Sequence, residues 1–368
     1  MKKQYEERLT ALRDYLNASN VDIAVITTPK NIFYYTGFNS EPYERFMALV
    51  IDNIKGEMYL LVPALDQELA LESANIQNII PISDEENPYK ILQEIIGDKI
   101  QTFGLEEKKV TLYQWNQLTS WISFRKTENI EEFIIDQRMR KTEEEGEKVQ
   151  RVVHLIEQVL ADGIKQVRAG MTELDLTAEF EYLMRKSGAS GPAFATTVLS
   201  GEKSALPHGS PGTRTFQYGD FILIDMGVIL DGYCSDISRT FVLGEETAEQ
   251  KKIYETVKKS TEEAVNAVKI GNPLGEVDKT ARDVIKEAGF GQYFNNRVGH
   301  GLGIDVHEEP SIHSNNELKA EEGFLFTIEP GIYIPGLGGV RIEENVYIEP
   351  TGKTRVLTSY PRELIRLG

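Results

Sequence analysis

Alternating apolar and polar positions predict that helices and strands are mixed along the whole chain. In the first third, helix-periodic residues 3–18 precede the β-branched run 21–27, and further segments of both kinds follow. Residues 46–52 and 57–62 are two strand-like runs separated by a short turn, which predicts a hairpin. The pattern is typical of an α/β domain of ordinary size, and we find no catalytic motif in it.

A charged stretch without strong apolar periodicity, residues 126–147, separates this first domain from the rest of the chain. Near its end, Thr142 followed by Glu145 predicts a capping box at the start of a long helix. We therefore predict two domains, residues 1–132 and residues 133–368.

Residues 221–243 are the most informative part of the second domain. Two apolar, β-branched runs flank Asp231-Gly232, and this dipeptide between such runs predicts a hairpin with a two-residue turn. Leu230 would then pair with Tyr233, and this pairing fixes the register of every residue before and after the turn.

The register places two acids on one face of the hairpin. Asp225 falls opposite Ser238 and Asp236 opposite Gly227, so the two carboxylates are diagonal neighbours that can converge. Asp225 follows an almost wholly apolar run, where an uncompensated charge costs several kcal/mol. A bound cation would remove that cost. The ordinary alternative is that Asp225 caps a strand and Asp236 faces water.

The second domain also contains an internal repeat. Gly170 and Gly188 flank a helix-periodic segment, and Gly271 and Gly289 flank another at the same interval. A long helix precedes each segment and strands follow it, the second set ending in a hairpin over residues 324–349. We expect two copies of helix, helix, hairpin that pack about a pseudo-twofold axis.

Composition narrows the class of protein. The chain has 58 acidic and 40 basic residues and a formal net charge of −18, which argues against binding to nucleic acid. Its first residues carry frequent charges and resemble neither a signal peptide nor a membrane anchor, so we expect a cytoplasmic protein with no membrane contact. The single cysteine, Cys234, excludes an internal disulfide and is expected to be a small buried core residue.

Acidic residues from both predicted hairpins carry the candidate chemistry. Asp225 and Asp236 come from the first hairpin, Glu329 and Glu343 from the second, and His300 precedes the second. Four carboxylates and one imidazole in one pocket require cations, and two divalent ions would balance them. This ligand set favours manganese, with cobalt, iron or zinc as alternatives, and two such ions activate water and polarise a carbonyl group. Shared coordination requires both aspartates to lie within about 8 Å of Glu343.

In their contexts DMGVILDGYCSDISRT, GHGLGIDVHEEP, TIEPGIY and GVRIEE, these five residues resemble the M24 metallopeptidases, the family of prolidase, Xaa-Pro aminopeptidase and methionine aminopeptidase. The resemblance covers the whole chain. It implies an α+β fold in which a smaller creatinase/prolidase-type α/β domain precedes a pita-bread catalytic domain with pseudo-twofold symmetry. It also implies a homodimer with two divalent ions per subunit.

The resemblance assigns a role to each candidate ligand. Asp225 would bind one ion, His300 and Glu329 would bind the other, and Asp236 and Glu343 would bridge both. Glu329 would also carry a proton to the leaving amine.

Four further residues lie at positions that contact the substrate in the family. Three of them suit that role, and the fourth differs from the residue that the family usually has. His208 and His307 match its catalytic, substrate-contacting histidines, and Arg341 suits a substrate carboxylate. The alternatives are a structural histidine at 208 and, for Arg341, a salt bridge to a ligand carboxylate. Many Xaa-Pro peptidases carry a histidine four residues before the ligand histidine. Here Asn296 stands at that substrate-pocket position, which puts the substrate preference in doubt.

The activity implied is dinuclear-metal hydrolysis of an X-Pro bond, with Xaa-Pro dipeptides as the first choice of substrate. The compact N-terminal domain and Arg341 favour a prolidase, and the alternative is an Xaa-Pro aminopeptidase that acts on longer peptides. Metal-dependent hydrolysis of other small C–N substrates stays open. A non-catalytic pita-bread binding module ranks lower, because such modules lose ligands that this chain keeps.

Overall fold

The computed structural model describes residues 2–368, and contacts divide the chain into two compact units, Met1–Arg138 and Met139–Gly368. The helices and strands of the first unit are α1 (Lys2–Ala18), β1 (Ile23–Ile26), α2 (Pro29–Thr36), β2 (Ala48–Asp52), β3 (Glu57–Pro63), α3 (Gln67–Ser73), β4 (Asn78–Ile82), α4 (Pro88–Ile96), β5 (Ile100–Leu105), α5 (Leu112–Trp121), β6 (Phe124–Asn129) and α6 (Glu131–Met139). The predicted domain boundary at residue 133 lies inside α6, whereas the contacts divide the chain at the end of that helix.

One mixed six-stranded sheet organises the first unit, with the strand order β4-β3-β2-β1-β5-β6. The predicted hairpin of residues 46–62 is confirmed by the antiparallel pairing of β2 with β3. Strands β1 and β2 are buried along their whole length, which matches their continuous apolar runs. Leu92 of α4 and Leu118 of α5 belong to the core that includes Val25 and Phe103 of the sheet.

The second unit contains four helices and fourteen strands among its described residues. They are α7 (Glu143–Gly163), α8 (Glu173–Lys186), β7 (Gly191–Pro192), β8 (Thr197–Ser200), β9 (Phe221–Met226), β10 (Val228–Leu230), β11 (Tyr233–Cys234), β12 (Ile237–Leu243), α9 (Ala248–Ala267), α10 (Gly275–Glu287), β13 (Gly299–Gly301), β14 (Glu308–Ile312), β15 (Leu325–Ile328), β16 (Gly331–Ile334), β17 (Gly338–Arg341), β18 (Glu344–Ile348), β19 (Thr354–Val356) and β20 (Arg366–Leu367).

The predicted order of helix, helix, hairpin occurs twice in this unit. Helices α7 and α8 precede the sheet β20-β12-β9-β8, and α9 and α10 precede the sheet β14-β13-β15-β18-β19. The matched glycines have matched backbones, since φ is 84° at Gly170 and 82° at Gly271, and 92° at Gly188 and 89° at Gly289. The internal repeat seen in the sequence is therefore a repeat of local structure.

Capping explains where the long helices begin. The Thr142 hydroxyl accepts the backbone N–H of Glu145, whose carboxylate in turn accepts the backbone N–H of Thr142, so the predicted capping box is present. Thr247 and Gln250 form the same arrangement at the start of α9. Apolar side chains of α9, including Ile253 and Val257, then join a core that contains residues of both hairpins.

The first hairpin has the predicted register. Leu230 pairs with Tyr233, and Asp225 pairs with Ser238. Asp231 and Gly232 have φ values of 52° and 81°, and two positive φ values in a two-residue loop are typical of a type I′ turn. The turn therefore sets the register of the strands, and the register sets the positions of the acids.

No helix among residues 2–368 is long and apolar enough to cross a membrane.

The second hairpin is divided in the same way as the first. Strands β15 and β18 pair within the five-stranded sheet, whereas β16 and β17 pair with each other in a separate ribbon. The break falls at Glu329 and Glu343, just as the first hairpin is broken between β9 and β10 on one side and at Asp236 on the other. In both hairpins, the regular strand pairing is thus interrupted close to the acids.

Candidate metal centre

The acids of the two hairpins converge. Carboxylate oxygens of Asp225, Asp236 and Glu343 all lie within 4.8 Å of one another, which meets the distance condition for shared coordination. Ligand atoms of Asp236, His300 and His307 form a second group with the same spacing. His300 Nε2 lies 3.2 Å from a carboxylate oxygen of Glu329 and 3.6 Å from one of Asp236. All five predicted ligands therefore belong to one cluster.

Burial makes this cluster costly without a cation. Glu343 is 0% exposed and Asp236 5% exposed. Burial, together with neighbouring carboxylates, raises the pKa of both groups well above the ordinary range. Among the described residues, both carboxylate oxygens of Glu343 and the Oδ1 atom of Asp236 are buried without a hydrogen-bond partner. Buried carboxylate oxygens without donors are costly, so these residues fit divalent cations.

The orientation of His300 points to the same conclusion. Its Nδ1 lies 3.1 Å from the carbonyl oxygen of Gly301, and because a carbonyl only accepts, Nδ1 carries the proton. Nε2, on the other side of the ring, faces acceptor oxygens of Asp236 and Glu329. A cation makes these contacts favourable. Burial alone would raise the pKa of Glu329. The hydrogen bond from His300 and the charge of Arg341 outweigh burial, so the pKa of Glu329 is lowered.

Arg341 is paired with the acids, in agreement with the alternative considered for it. It is 4% exposed, and its guanidinium donates to the Ser238 hydroxyl at 2.7 Å, the Tyr333 hydroxyl at 2.8 Å and Asp225 at 2.5 Å. The role predicted for Arg341 as a clamp for a substrate carboxylate stays a prediction, and these three bonds use one N–H group on each guanidinium nitrogen. Burial raises the pKa of Asp225 in spite of this ion pair.

The predicted substrate-contacting histidines differ in their surroundings. The ring of His307 lies with its centroid 3.8 Å from that of His300. Partial desolvation of the ring, followed by the effect of His300, lowers the pKa of His307 to about 4. His307 is therefore neutral at pH 7. His208 is exposed, and its electrostatic interaction with His307 is one further cause that lowers the pKa of His307. Asn296 is half-buried, and its side-chain N–H donates to the carbonyl oxygen of Arg297.

Lys141 and Glu308 form a buried ion pair that the sequence did not predict. The Lys141 ammonium lies 2.5 Å from a Glu308 oxygen, and the two side chains are 1% and 9% exposed. Both side chains pass close to Gly303, where a Cβ atom would lie 2.5 Å from the Glu308 oxygen and 3.0 Å from the lysine chain. The pair thus supports the loop between His300 and His307. Its two members are far apart in the sequence, so no local signal joins them.

Another buried cation holds the backbone on the far side of Glu343. The Arg239 guanidinium donates to the carbonyl oxygen of Glu343 and, at 2.9 Å, to the carboxylate of Glu344. It also donates to the carbonyl oxygens of Tyr360 and Pro361. Arg239 therefore connects β12, the start of β18 and the C-terminal segment, which fixes the main chain that carries Glu343.

A buried cluster of carboxylates with an imidazole, built on two copies of a helix and hairpin unit, is typical of metal-dependent hydrolases. Comparison with known proteins agrees. The profile of metallopeptidase family M24 matches residues 147–350, and that of the creatinase/prolidase N-terminal domain matches residues 8–140. The chain therefore belongs to metallopeptidase family M24 and is a peptidase whose family uses divalent metal ions.

Individual relatives cover nearly the whole chain. The protein named "Putative dipeptidase YkvY" of Bacillus subtilis is 39% identical, over 98% of this chain and 99% of its own length. The prolidase from Pyrococcus furiosus is 34% identical, with 94% of this chain and 98% of that one covered and a TM-score of 0.85. The X-Pro aminopeptidase from Thermotoga maritima is 33% identical, with 95% and 98% covered and a TM-score of 0.86. The two-domain, pita-bread fold implied by the sequence is confirmed.

The pKa shifts predict how metal stabilisation depends on pH. In the metal-free protein, Asp236 and Glu343 hold protons more tightly than in the unfolded chain, where such groups titrate near pH 4. Their contribution to stability is therefore present below about pH 4 and is lost as pH rises through the raised pKa values. Divalent ions replace these protons. We expect Mn²⁺ to raise the Tm by at least about 3 °C more at about pH 8 than at about pH 5.

Thermal unfolding of chelator-treated protein, with and without added Mn²⁺ at both pH values, measures this difference. The double variant Asp236→Asn with Glu343→Gln is the control, because it lacks both titrating groups. An equal Mn²⁺ effect at the two pH values in the wild type would contradict the expectation.

Proposed function

We propose that the protein hydrolyses the X-Pro bond of dipeptides with the help of two divalent ions. Mn²⁺ is the first choice of metal. The observation that carries the proposal is that the carboxylates of Asp225, Asp236 and Glu343 converge. Buried oxygens of Asp236 and Glu343 also have no hydrogen-bond partner among the described residues. The prolidase and the X-Pro aminopeptidase among the structural relatives support the choice of bond. Membership of a metallopeptidase family favours catalysis over the non-catalytic binding module.

The ligand set divides into two groups. Asp225 would hold one ion and His300 with Glu329 the other, while Asp236 and Glu343 would contribute to both. When bound, such ions activate water and polarise the scissile carbonyl. Arg341 balances part of the negative charge through its ion pair with Asp225.

Three side chains would act directly on the substrate. Glu329, whose carboxylate is 3.2 Å from His300 and 3.8 Å from Arg341, would take a proton from water and pass it to the leaving nitrogen. His307 is a neutral imidazole that can donate an N–H to the carbonyl oxygen as negative charge develops there. His208, which is exposed and interacts electrostatically with His307, would contact the peptide.

The chemistry suits a proline nitrogen. An X-Pro bond is a tertiary amide without an N–H, so a site that relies on a hydrogen bond from that N–H cannot use it. The cluster described here acts on the carbonyl and supplies the leaving nitrogen with a proton from Glu329, and neither step needs the missing hydrogen.

An Xaa-Pro aminopeptidase is the second candidate, because a solved structure with that title is 33% identical. The two activities differ in substrate length. We expect Mn²⁺-loaded enzyme to cleave Ala-Pro at least about tenfold faster than Arg-Pro-Pro, in terms of kcat/KM. Release of the N-terminal residue, measured by chromatography, gives both values. Rapid cleavage of the tripeptide with little cleavage of the dipeptide would favour the aminopeptidase.

Controls separate these outcomes from a failure of the preparation. Metal analysis of the assayed protein should give about two divalent ions per chain, as a dinuclear site requires. Ala-Ala tests whether proline is required. Loaded enzyme that cleaves neither Ala-Pro nor Arg-Pro-Pro would exclude both X-Pro activities.

Assembly and location also stay proposals. We propose a homodimer, which the family resemblance implies, and sedimentation should give the mass of two chains. We propose a cytoplasmic location for the same protein, since its one cysteine is buried and donates to the carbonyl oxygen of Ile304 instead of forming a disulfide.

A further inference from the structure

A dipeptidase must recognise the free carboxylate of its substrate, and this requirement rests on the function proposed above. In a dipeptide the carboxylate lies only one residue from the scissile bond, because consecutive Cα atoms are about 3.8 Å apart. The cation that binds it must therefore border the acid cluster. Arg341 borders the cluster, but its guanidinium is buried and committed to Ser238, Tyr333 and Asp225.

Arg297 is a second arginine beside the cluster, and its side chain is exposed. Its Nη1 donates to the Ser311 hydroxyl at 2.8 Å. Within residues 2–368, no carboxylate lies within ion-pair distance of this guanidinium. Glu309, the acid closest to Ser311 along the chain, accepts the backbone N–H of Ser311 instead. Most of the N–H groups of Arg297 are therefore open to a ligand.

Strand pairing places this guanidinium next to the predicted ligands. Ser311 pairs with His300 across β13 and β14, and the side chains of paired residues lie on one face of a sheet with Cβ atoms about 5 Å apart. His300 in turn contacts Glu329, and its ring lies beside that of His307. The charge of Arg297 is also among those that act on His307.

The backbone that carries Arg297 is held rigidly. Asp278 is 0% exposed, and its carboxylate accepts the backbone N–H of Val298 at 2.9 Å. Arg282 pairs with both oxygens of Asp278 and donates to the carbonyl oxygens of Phe294 and Asn296. These bonds fix the main chain on both sides of Arg297, so its guanidinium is presented from an ordered segment.

We propose that Arg297, with the Ser311 hydroxyl beside it, binds the C-terminal carboxylate of the substrate and makes the site select dipeptides. A planar guanidinium with free N–H groups matches a carboxylate in a bidentate geometry. In a chain of net charge −18, and next to a cluster of acids, this arginine gives an anionic substrate end a favourable contact. Arg297, which follows the Asn296 that stands in place of the expected histidine, would thus give this segment carboxylate recognition.

Kinetics of Arg297→Met on Ala-Pro and on Ala-Pro amide test the assignment. The variant should raise KM for Ala-Pro by about ten- to a hundredfold and change kcat by less than about threefold. The amide, which lacks the carboxylate, should lose less than about threefold in either constant. Arg297→Lys should recover part of the loss, because it keeps the charge without the bidentate geometry. Arg168→Met, which removes an exposed arginine from the loop before α8, is the matched control and should behave as wild type.

A binding measurement separates this proposal from the proposed activity. L-Proline and L-prolinamide are titrated calorimetrically into Mn²⁺-loaded wild type and Arg297→Met. Wild type should prefer proline by at least about tenfold, and the variant should lose that preference. If wild type hydrolyses neither peptide, the proposed function fails and the binding arm alone decides on Arg297. The assignment is overturned by equal losses on both peptides, by an unchanged KM for Ala-Pro, or by equal binding of proline and prolinamide to wild type.

Discussion

Replacing Glu343 by Gln should lower kcat/KM for Ala-Pro by at least about a thousandfold, equivalent to about 4 kcal/mol of transition-state stabilisation. Glu343 is fully buried, and neither of its oxygens has a hydrogen-bond partner among the described residues, so its carboxylate is free to bind cations. An amide has the same shape but one oxygen and no charge. The variant should therefore bind less than the full complement of divalent ions.

Stability distinguishes this outcome from a folding defect. Removing an uncompensated buried charge should leave the metal-free variant at least as stable as metal-free wild type. Kinetics, metal analysis by mass spectrometry and thermal unfolding in chelator provide the three readouts. Glu276→Gln, on the exposed side of α10, is the matched control. The ligand assignment would be wrong if Glu343→Gln kept more than about a tenth of the activity and its full metal content.

Lys141→Met should lower the free energy of unfolding of the catalytic unit by about 3–5 kcal/mol, because it leaves the buried Glu308 carboxylate without its ammonium partner. The loop that carries His307 depends on this pair. We therefore also expect lower activity in the fraction that stays folded.

Denaturant unfolding monitored by circular dichroism gives the free energy. Lys279→Met removes one member of an exposed pair with Glu276 and should leave the free energy of unfolding close to that of wild type. The double variant Lys141→Met with Glu308→Leu should recover most of the loss, since a buried ion pair and an apolar pair are often similar in stability. A single variant as stable as wild type would show that the pair does not anchor the loop.

Local rules in the sequence predicted the hairpins and the positions of the acids. The Asp231-Gly232 turn determines the register, and the register determines that Asp225 meets Ser238. The capping box at Thr142 is equally local, since both partners lie within one helical turn. The family motifs supplied the grouping of acids from different hairpins, which no local rule provides.

The contacts that the sequence did not reveal join distant residues. Lys141 and Glu308 meet only because the fold brings the start of the catalytic unit beside β14. Arg341 lies two residues before Glu343 in the sequence, and only the fold shows that Ser238 and Asp225 of the neighbouring hairpin are its partners. Arg297 had no signal except its position three residues before His300. Choosing between these arginines required knowledge of which guanidinium is buried.

The interruption of both hairpins at the acids has a consequence for assembly. Asp225 and Asp236 belong to one sheet system, Glu329 and Glu343 to another, and the unfolded chain holds the two pairs far apart. Ions coordinated by both pairs would cross-link the two sheets. This coordination requires that each sheet has already formed. Metal binding would then be the last step in the folding of this enzyme. Removal of the metal by a chelator would destabilise the interface between the two sheets and leave each sheet folded.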